Sequence, residues 1–175
     1  LTSSDATSGV SWTKYCTDTT NTCAPNINYN PASLPTISTE GVSYFRYHSQ
    51  DIAGNTQGIV TKTIQLDTVD PSGAISFPVA NTWYKTSTWG TISGTAADTH
   101  AGVSYTELLI CTNSPGPWYH WDGSSWASGC SWGQGISKTG TSWTDSSLTT
   151  ASLTSGYTYR LYTRVFDNAG NIYYI

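Results

Sequence analysis

Serine and lysine residues occur at two spacings that acyl-transfer enzymes use. Ser11 and Lys14 are three positions apart, and Lys138 precedes Thr139-Gly140. In such enzymes the serine begins a helix and the lysine lies one turn further on. Here Ser11 and Lys14 fall in an alternating segment, where a strand directs them to opposite faces. The sequence also has no Ser-Asp-Asn motif, so we expect no catalysis from these residues.

The carboxylate and histidine residues likewise form no recognisable catalytic motif in the sequence. Glycoside hydrolysis needs two carboxyl groups held about 5–10 Å apart in a groove, whereas turns explain Asp18, Asp122 and Asp145. The sequence has no Gly-x-Ser-x-Gly elbow and no histidine visibly paired with a nucleophile. We therefore predict that the protein is not an enzyme.

Four cysteines form two local pairs, Cys16 with Cys23 and Cys111 with Cys130. Each pair flanks one predicted hairpin, which favours local disulfides among the three possible connectivities. Zinc would require closer cysteine spacing or clustered histidines, and His48, His100 and His120 are dispersed. Two disulfides would place the chain in an oxidising, extracytoplasmic compartment.

The elements that would position these residues are strands. Asp51-Ile-Ala-Gly-Asn55 recurs as Asp167-Asn-Ala-Gly-Asn171, and glycine at the fourth position accepts a positive φ. Alternating segments precede both turns, at Val42–Ser49 and Tyr157–Val165. The chain has no Met and only two Glu, whereas Thr, Tyr, Trp and Val favour strands. The sequence predicts an all-β protein.

An internal repeat organises the chain. Asp5, Gly9 and Val10 align without a gap with Asp98, Gly102 and Val103, and an Asp-x-Ala-Gly-Asn turn closes each copy. Pro71 cannot donate a ladder hydrogen bond, so the boundary is expected there, between domains 1–70 and 71–175. The second copy has some 25 residues of strand and turn before Asp98, but the first has four before Asp5. We predict that the first domain lacks its opening strand and half of the next.

The second copy contains a tryptophan-rich insertion, residues 113–143. A two-strand pattern surrounds its Asp122-Gly123 turn. Its candidate binding or interface residues are Trp118, Tyr119, Trp121, Trp126 and Trp132. Three interpretations remain open: stacking on sugar rings, contact with another subunit, and internal packing.

Charge and hydropathy limit the partners. The net charge is −4 and the seven basic residues are scattered, so nucleic acid is not expected as a partner. No apolar run approaches the roughly 20 residues of a membrane span. The chain opens in mid-pattern at Leu1, which indicates a mature or excised piece whose targeting segment lies elsewhere.

These motifs together resemble the tandem immunoglobulin-like repeats of large bacterial and archaeal surface proteins. In the first copy the matching residues are Asp5, Gly9, Val10, Gly41, Tyr47, Asp51, Ala53, Gly54, Asn55, Asp67 and Pro71. In the second they are Asp98, Gly102, Val103, Gly156, Asp167, Ala169, Gly170 and Asn171. The resemblance implies two tandem β-sandwich domains in an extracellular or cell-surface protein. It specifies no ligand, because family members are spacers, stalks, adhesins and filament parts.

The same resemblance implies a possible calcium site. In an immunoglobulin-like domain the loop after the second strand and the last hairpin turn lie at the end where a preceding linker arrives. That geometry would bring Asp98, Asp167 and Asn168 towards Asp67 and Asp70, and calcium prefers several oxygen ligands. The alternative is that these residues cap turns through their own backbone. No cofactor is required, and calcium is the one that the pattern allows.

Two functions of different classes follow from these features. The first is a structural repeat unit of a surface filament, stalk or adhesin that assembles head-to-tail through β-strand complementation, with copies of itself or adjacent repeats as partners. The second is a carbohydrate-binding or adhesive module that uses the tryptophan-rich insertion and takes surface glycans as partners.

Overall fold

The structure is a computed structural model that describes residues 1–114 and 116–175. The chain divides into two compact units, Leu1–Asp67 (unit 1) and Thr68–Ile175 (unit 2). The second unit thus begins at Thr68, whereas the sequence predicted the boundary at Pro71.

The described residues form thirteen strands and one short 3-10 turn. They are β1 (Val10–Asp18), β2 (Ile27–Asn28), β3 (Gly41–Asp51), β4 (Val60–Leu66), β5 (Ser72–Phe77), β6 (Ile92–Ala97), β7 (Val103–Thr112), β8 (Tyr119–Trp121), β9 (Trp126–Ser128), β10 (Ile136–Lys138), β11 (Ser142–Asp145), β12 (Tyr159–Asp167) and β13 (Ile172–Tyr174), with the 3-10 turn at Thr150–Ser152. All sheet pairings are antiparallel. The all-β prediction is confirmed.

Unit 1 is built on one four-stranded sheet in the order β2-β1-β3-β4. Alternation along β1 and β3 places Tyr15 opposite Tyr47, with Phe45 two positions away on the same face. The ring of Phe45 stacks on Tyr15 at 5.3 Å between centroids and is 6.0 Å from that of Tyr47. This face of the sheet therefore carries a cluster of three aromatic rings.

Unit 2 has two sheets. Strands β13-β12-β7-β8-β9 form one, with β10 also paired to β7, and β11-β6-β5 form the other. The buried core takes Ile92 from the smaller sheet and Leu108 and Ile110 from the larger, together with Trp121, Trp143 and Leu148. A core drawn from two facing sheets is the arrangement of a β-sandwich.

The repeat extends to strand register. Val10 pairs with Asp51 and Trp12 with Gln50, so Ser11 forms a bulge. In unit 2, Val103 pairs with Asp167 and Tyr105 with Phe166, which leaves Ser104 in the same position. Likewise β2 and β10 pair with equivalent residues of β1 and β7. The order β2-β1-β3-β4 therefore corresponds to β10-β7-β12-β13.

Unit 1 has no counterpart of the β11-β6-β5 sheet within Leu1–Asp67, all of which the structure describes. The sequence predicted the loss of one strand and half of another. The counterpart of the third strand, β11, is also lacking. The segment after β2 contains Pro31 and Pro35, which cannot donate ladder hydrogen bonds. Only the isolated bridge between Asn30 and Ser33 forms in this segment.

Close packing within the β11-β6-β5 sheet at Gly94 gives a test of the core. A Cβ at this position would lie 2.5 Å from the carbonyl oxygen of Ala74 and against the ring of Trp143. We expect Gly94→Ala to lower the free energy of unfolding by about 1–3 kcal/mol, since overpacking forces backbone shifts. Urea unfolding of the whole chain measures the change.

The matched control is Gly58→Ala, where a Cβ would meet no described heavy atom within 4 Å. That substitution should leave stability within about 0.5 kcal/mol or raise it slightly through the unfolded state. Equal losses in the two variants would contradict the packing described for Gly94.

Candidate functional site

A groove of about 390 Å³ lies in unit 1. It is lined by the N-terminal segment Leu1–Asp5, by residues of β1 and β3, and by the connection between β3 and β4. The strand residues are Val10, Thr13, Tyr47, Ser49, Gln50 and Asp51, and the residues of the connection are Asn55 and Gln57. The Thr13 hydroxyl lies 3.1 Å from the Ser3 hydroxyl and 2.8 Å from that of Ser49. The groove thus joins the N-terminal segment to the face of the sheet that carries Tyr47.

The two carboxylates at this groove are held ionised by their own turns. Backbone N–H groups of Ser8, Gly9 and Thr7 donate to Asp5 and lower the pKa of its carboxyl. The side chain of Asn55 does the same for the pKa of Asp51. Since these hydrogen bonds stay within each turn, they explain the carboxylates as turn-forming groups.

Unit 2 repeats this arrangement at Asp98 and Asp167, two of the predicted calcium ligands. Desolvation opposes ionisation of Asp167, but hydrogen bonds from Asn171, Gly170 and Ala169 lower the pKa of its carboxyl overall. Carboxylate oxygens of Asp98 and Asp167 lie within 4.8 Å of each other. Oδ1 of Asp98 is buried and finds no hydrogen-bond partner among the described residues.

The other predicted calcium ligands differ in position. Asn168 donates its side-chain amide to the carbonyl oxygens of Ala101 and Gly102, which ties the turn to the start of β7. Asp70 is exposed on the approach to β5, and Asp67 is the last residue of unit 1. Calcium binding stays a prediction.

Both predicted cysteine pairs are disulfide-bonded, Cys16 to Cys23 and Cys111 to Cys130. The first bond closes a short loop in which Asp18 accepts hydrogen bonds from the backbone of Asn21, Thr22 and Cys23. Two such bonds indicate an oxidising environment outside the cytosol. In the described part of the chain no helix has the length and apolar character needed to cross a membrane.

The tryptophans of the insertion have different environments. Trp121 is 3% exposed and belongs to the core, so its ring cannot serve as a surface platform. Trp126 packs against it in an edge contact and donates its indole N–H to the carbonyl oxygen of Ser152. Trp118 is 37% exposed beside the guanidinium of Arg160. Pro115, in the same insertion, lies outside the described residues.

Trp132 lies in a cluster that sequence reasoning missed. Arg164 stands 5.0 Å from its ring and donates to Glu107 at 2.6 Å. The other oxygen of Glu107 accepts the N–H groups of Gly133 and Gly135. Burial opposes the charged form of Arg164, but Glu107 raises the pKa of its guanidinium overall. The pair attaches the insertion to β7 and β12.

A second, smaller groove of about 200 Å³ lies in unit 2. Its lining combines four aromatic residues with hydroxyl groups: Thr112, Ser114, Tyr119, Trp126, Ser152, Thr154, Tyr157 and Tyr159. Of the predicted interface residues it includes Tyr119 and Trp126. The most exposed aromatic side chain described is elsewhere: Trp83, between β5 and β6, is 93% exposed, and no sequence pattern pointed to it.

The serine and lysine residues considered for acyl transfer have different surroundings. Ser11 is exposed at the bulge of β1, and Lys14 stands 4.7 Å from the ring of Trp12. Lys138 forms an ion pair with Asp145 at 2.5 Å. The lack of enzymatic activity stays a prediction.

Neither the family models nor the curated proteins with which the sequence was compared match this chain. The grooves, turns and clusters above therefore carry the functional argument.

The Cys16–Cys23 loop predicts a specific acid response. Burial opposes ionisation of Asp18, but hydrogen bonds from Thr22 and Cys23 lower the pKa of its carboxyl to about 2. Its contribution to stability should be complete above the ordinary pKa of 3.8 and be lost as pH falls towards 2. Carboxyl-carbon NMR should place the midpoint near the lower value.

A control distinguishes this loop from general acid unfolding. Thr20→Ala removes one side-chain donor to Asp18 and should raise the pKa only partly, whereas Asp18→Asn should flatten the stability profile between pH 4 and 2. A midpoint near the ordinary value in the unsubstituted chain would contradict the hydrogen-bond account.

Proposed function

We propose that the chain is a structural repeat unit of an extracellular surface filament, stalk or adhesin. Its two units are immunoglobulin-like domains, and assembly proceeds head-to-tail through β-strand complementation. The partners are copies of the chain or adjacent repeats of one polypeptide. The two disulfides and the scarcity of charged residues suit a domain that works outside the cell.

One observation carries the proposal. Unit 1 reproduces four strands of one sheet of unit 2 in the same order, with the same register and bulge between β1 and β3 as between β7 and β12, while the opposing three-stranded sheet has no counterpart in Leu1–Asp67. In unit 2 that opposing sheet covers the face carrying Leu108 and Ile110. The corresponding face of unit 1 has no opposing sheet within Leu1–Asp67, and strands supplied by the next unit in line would produce contacts that propagate.

The sheet edge supports the same reading. The segment Leu1–Ser4 corresponds to β6 in the repeat but belongs to no strand. Main-chain N–H and C=O groups that are not paired in a sheet are a template for strand addition. A neighbouring strand would satisfy them and cover the groove in one step.

Assembly can be tested on the purified chain. We expect light scattering to report species that grow with protein concentration, and negative-stain micrographs to show linear particles. Hydrogen exchange should show the amides of Thr2 and Ser4 unprotected in the monomer and protected in the assemblies, because only added strands supply their acceptors.

A monodisperse monomer at all concentrations, with both amides already protected, would contradict the proposal. Assemblies in which the two amides remain unprotected would show that the chain polymerises through another surface.

Carbohydrate binding is the second candidate function, and the groove of unit 2 favours it. Aromatic rings and hydroxyl groups line this groove together, with Tyr119, Trp126 and Tyr159 among them. Ring faces stack on the apolar faces of sugars, and hydroxyls supply hydrogen bonds. The groove therefore suits a short saccharide better than a charged ligand.

The substitution that tests this candidate is Tyr119→Ala. A saccharide bound in the groove should lose at least about tenfold in affinity by calorimetry, because one aromatic wall is removed. Tyr173→Ala is the control, since this tyrosine is 41% exposed on β13 and lies outside the groove. Trp121→Ala is unsuitable because it would remove a core residue.

Glycan-array signals that both variants retain would exclude the groove as a saccharide site. A loss of signal in both would indicate a general surface effect and would equally exclude it.

A further inference from the structure

Strand β5 shows how the opposing sheet of unit 2 begins. Ser72 pairs with Ala97, Gly73 with Ala96, Ala74 with Thr95 and Ile75 with Gly94. The strand passes close over β12 and the residue after β13, because a Cβ on Gly73 would lie 2.9 Å from Cγ2 of Val165 and 3.0 Å from Cδ1 of Ile175. Just before it, the carbonyl oxygen of Val69 accepts from Asn171 at 3.3 Å.

The repeat maps the β6, Val165 and Asn171 contacts onto unit 1. The β6 residues that receive β5 correspond to Leu1–Ser4, Val165 corresponds to Ser49, and Asn171 corresponds to Asn55. All of these residues line the 390 Å³ groove. The groove of unit 1 therefore occupies the position that β5 fills in unit 2.

Backbone direction agrees with this assignment. The N–H of Ala96 donates to Thr141, on the side of β6 away from β5. Successive residues of a strand alternate in direction, so Thr95 and Ala97 present their groups to β5. Their counterparts in unit 1 are Thr2 and Ser4, which would present the same groups to the groove.

Asn55 of unit 1 can make the same contact with an incoming strand that Asn171 makes with Val69 in unit 2. Asn171 donates its side-chain amide both to Asp167 at 2.7 Å and to Val69. Asn55 makes the first of these bonds, to Asp51 at 2.7 Å. An amide nitrogen has two hydrogens, so it retains a donor for an incoming carbonyl group.

We propose that the groove of unit 1 binds an extended peptide strand with the chemistry of β5, antiparallel to Leu1–Ser4. This inference rests on the proposed function and deepens it, since it names the acceptor groove, the register and the kind of strand. The occupant has an Asp-Pro lead-in and a small residue facing Ser49. Because Ser49 is smaller than Val165 and adds a hydroxyl beside that of Thr13, the groove accepts Ala or Ser where β5 has Gly73.

The test uses the full chain and a synthetic peptide with the sequence of residues 69–79. Isotope-labelled chain should show dose-dependent chemical-shift changes at Thr2, Ser4, Ser49 and Gln57, with slower exchange of the Thr2 and Ser4 amides. A control peptide with Ala74→Pro lacks the N–H that pairs at this position and should bind at least about tenfold more weakly.

Variants of the chain provide the second arm. Thr2→Pro removes the backbone N–H of residue 2, which would pair with the peptide, and should weaken binding of the unsubstituted peptide at least about tenfold. Thr2→Ala keeps that N–H, so the chain with this substitution should bind the peptide normally. Thr2 is exposed, so neither variant should change the unfolding midpoint.

Shift changes on β6 of unit 2, instead of in the groove, would show that the peptide displaces β5 and would overturn the inference. Equal binding of both peptides, or no binding, would also overturn it. The proposed function fails separately: binding in the groove without assembly of the chain would contradict the filament, and assembly without peptide binding would contradict the groove.

Discussion

A sheet with an apolar face is stable only when a second layer covers that face. Burying one large apolar side chain contributes about 1.5–3 kcal/mol, so an uncovered face forgoes much of the stability of a small domain. Unit 2 meets the requirement with the β11-β6-β5 sheet, against which Leu108 and Ile110 are fully buried. Unit 1 carries the matching sheet without the matching layer, and its features follow from this difference.

The face of unit 1 that lacks an opposing sheet is accordingly different in composition. Ser49 stands where unit 2 has Val165, and Tyr15 and Tyr47 stand where it has Leu108 and Thr163. Hydroxyl-bearing side chains lower the cost of contact with water, while Phe45 remains 9% exposed beneath the rings of its neighbours. A face of this composition suits the strand binding that we propose, because its hydroxyl groups can also be solvated.

The repeat could be recognised from the sequence because its turns depend on residue type and short spacing. Long-range packing could not be predicted in the same way. Gly54 and Gly170 have φ values of +93° and +102°, so the Asp-x-Ala-Gly-Asn turns and their hairpins could be predicted from residue type alone. The Asp122-Gly123 hairpin and the cysteine pairs are equally local. By contrast, Trp121 and Trp126 have similar sequence contexts, and only the fold makes one a core residue and the other half-buried. The groove of unit 1 was likewise beyond prediction in detail, because it is formed by segments some 45 residues apart.

The outer faces of the two sheets show where the repeat diverged. Glu107 and Arg164 of unit 2 correspond to Lys14 and His48 of unit 1, which instead surround Trp12. A buried carboxylate is costly unless its partners are complete, and the insertion supplies two of them through Gly133 and Gly135. The ion pair and the insertion therefore depend on each other: without the loop the carboxylate would lose two donors, and without Glu107 the loop would lose its attachment. Unit 1 has a short disulfide-closed loop in the same connection and needs no such charge. The shared strands thus keep a common register, while the connection after the first shared strand varies in length and in the surface it presents.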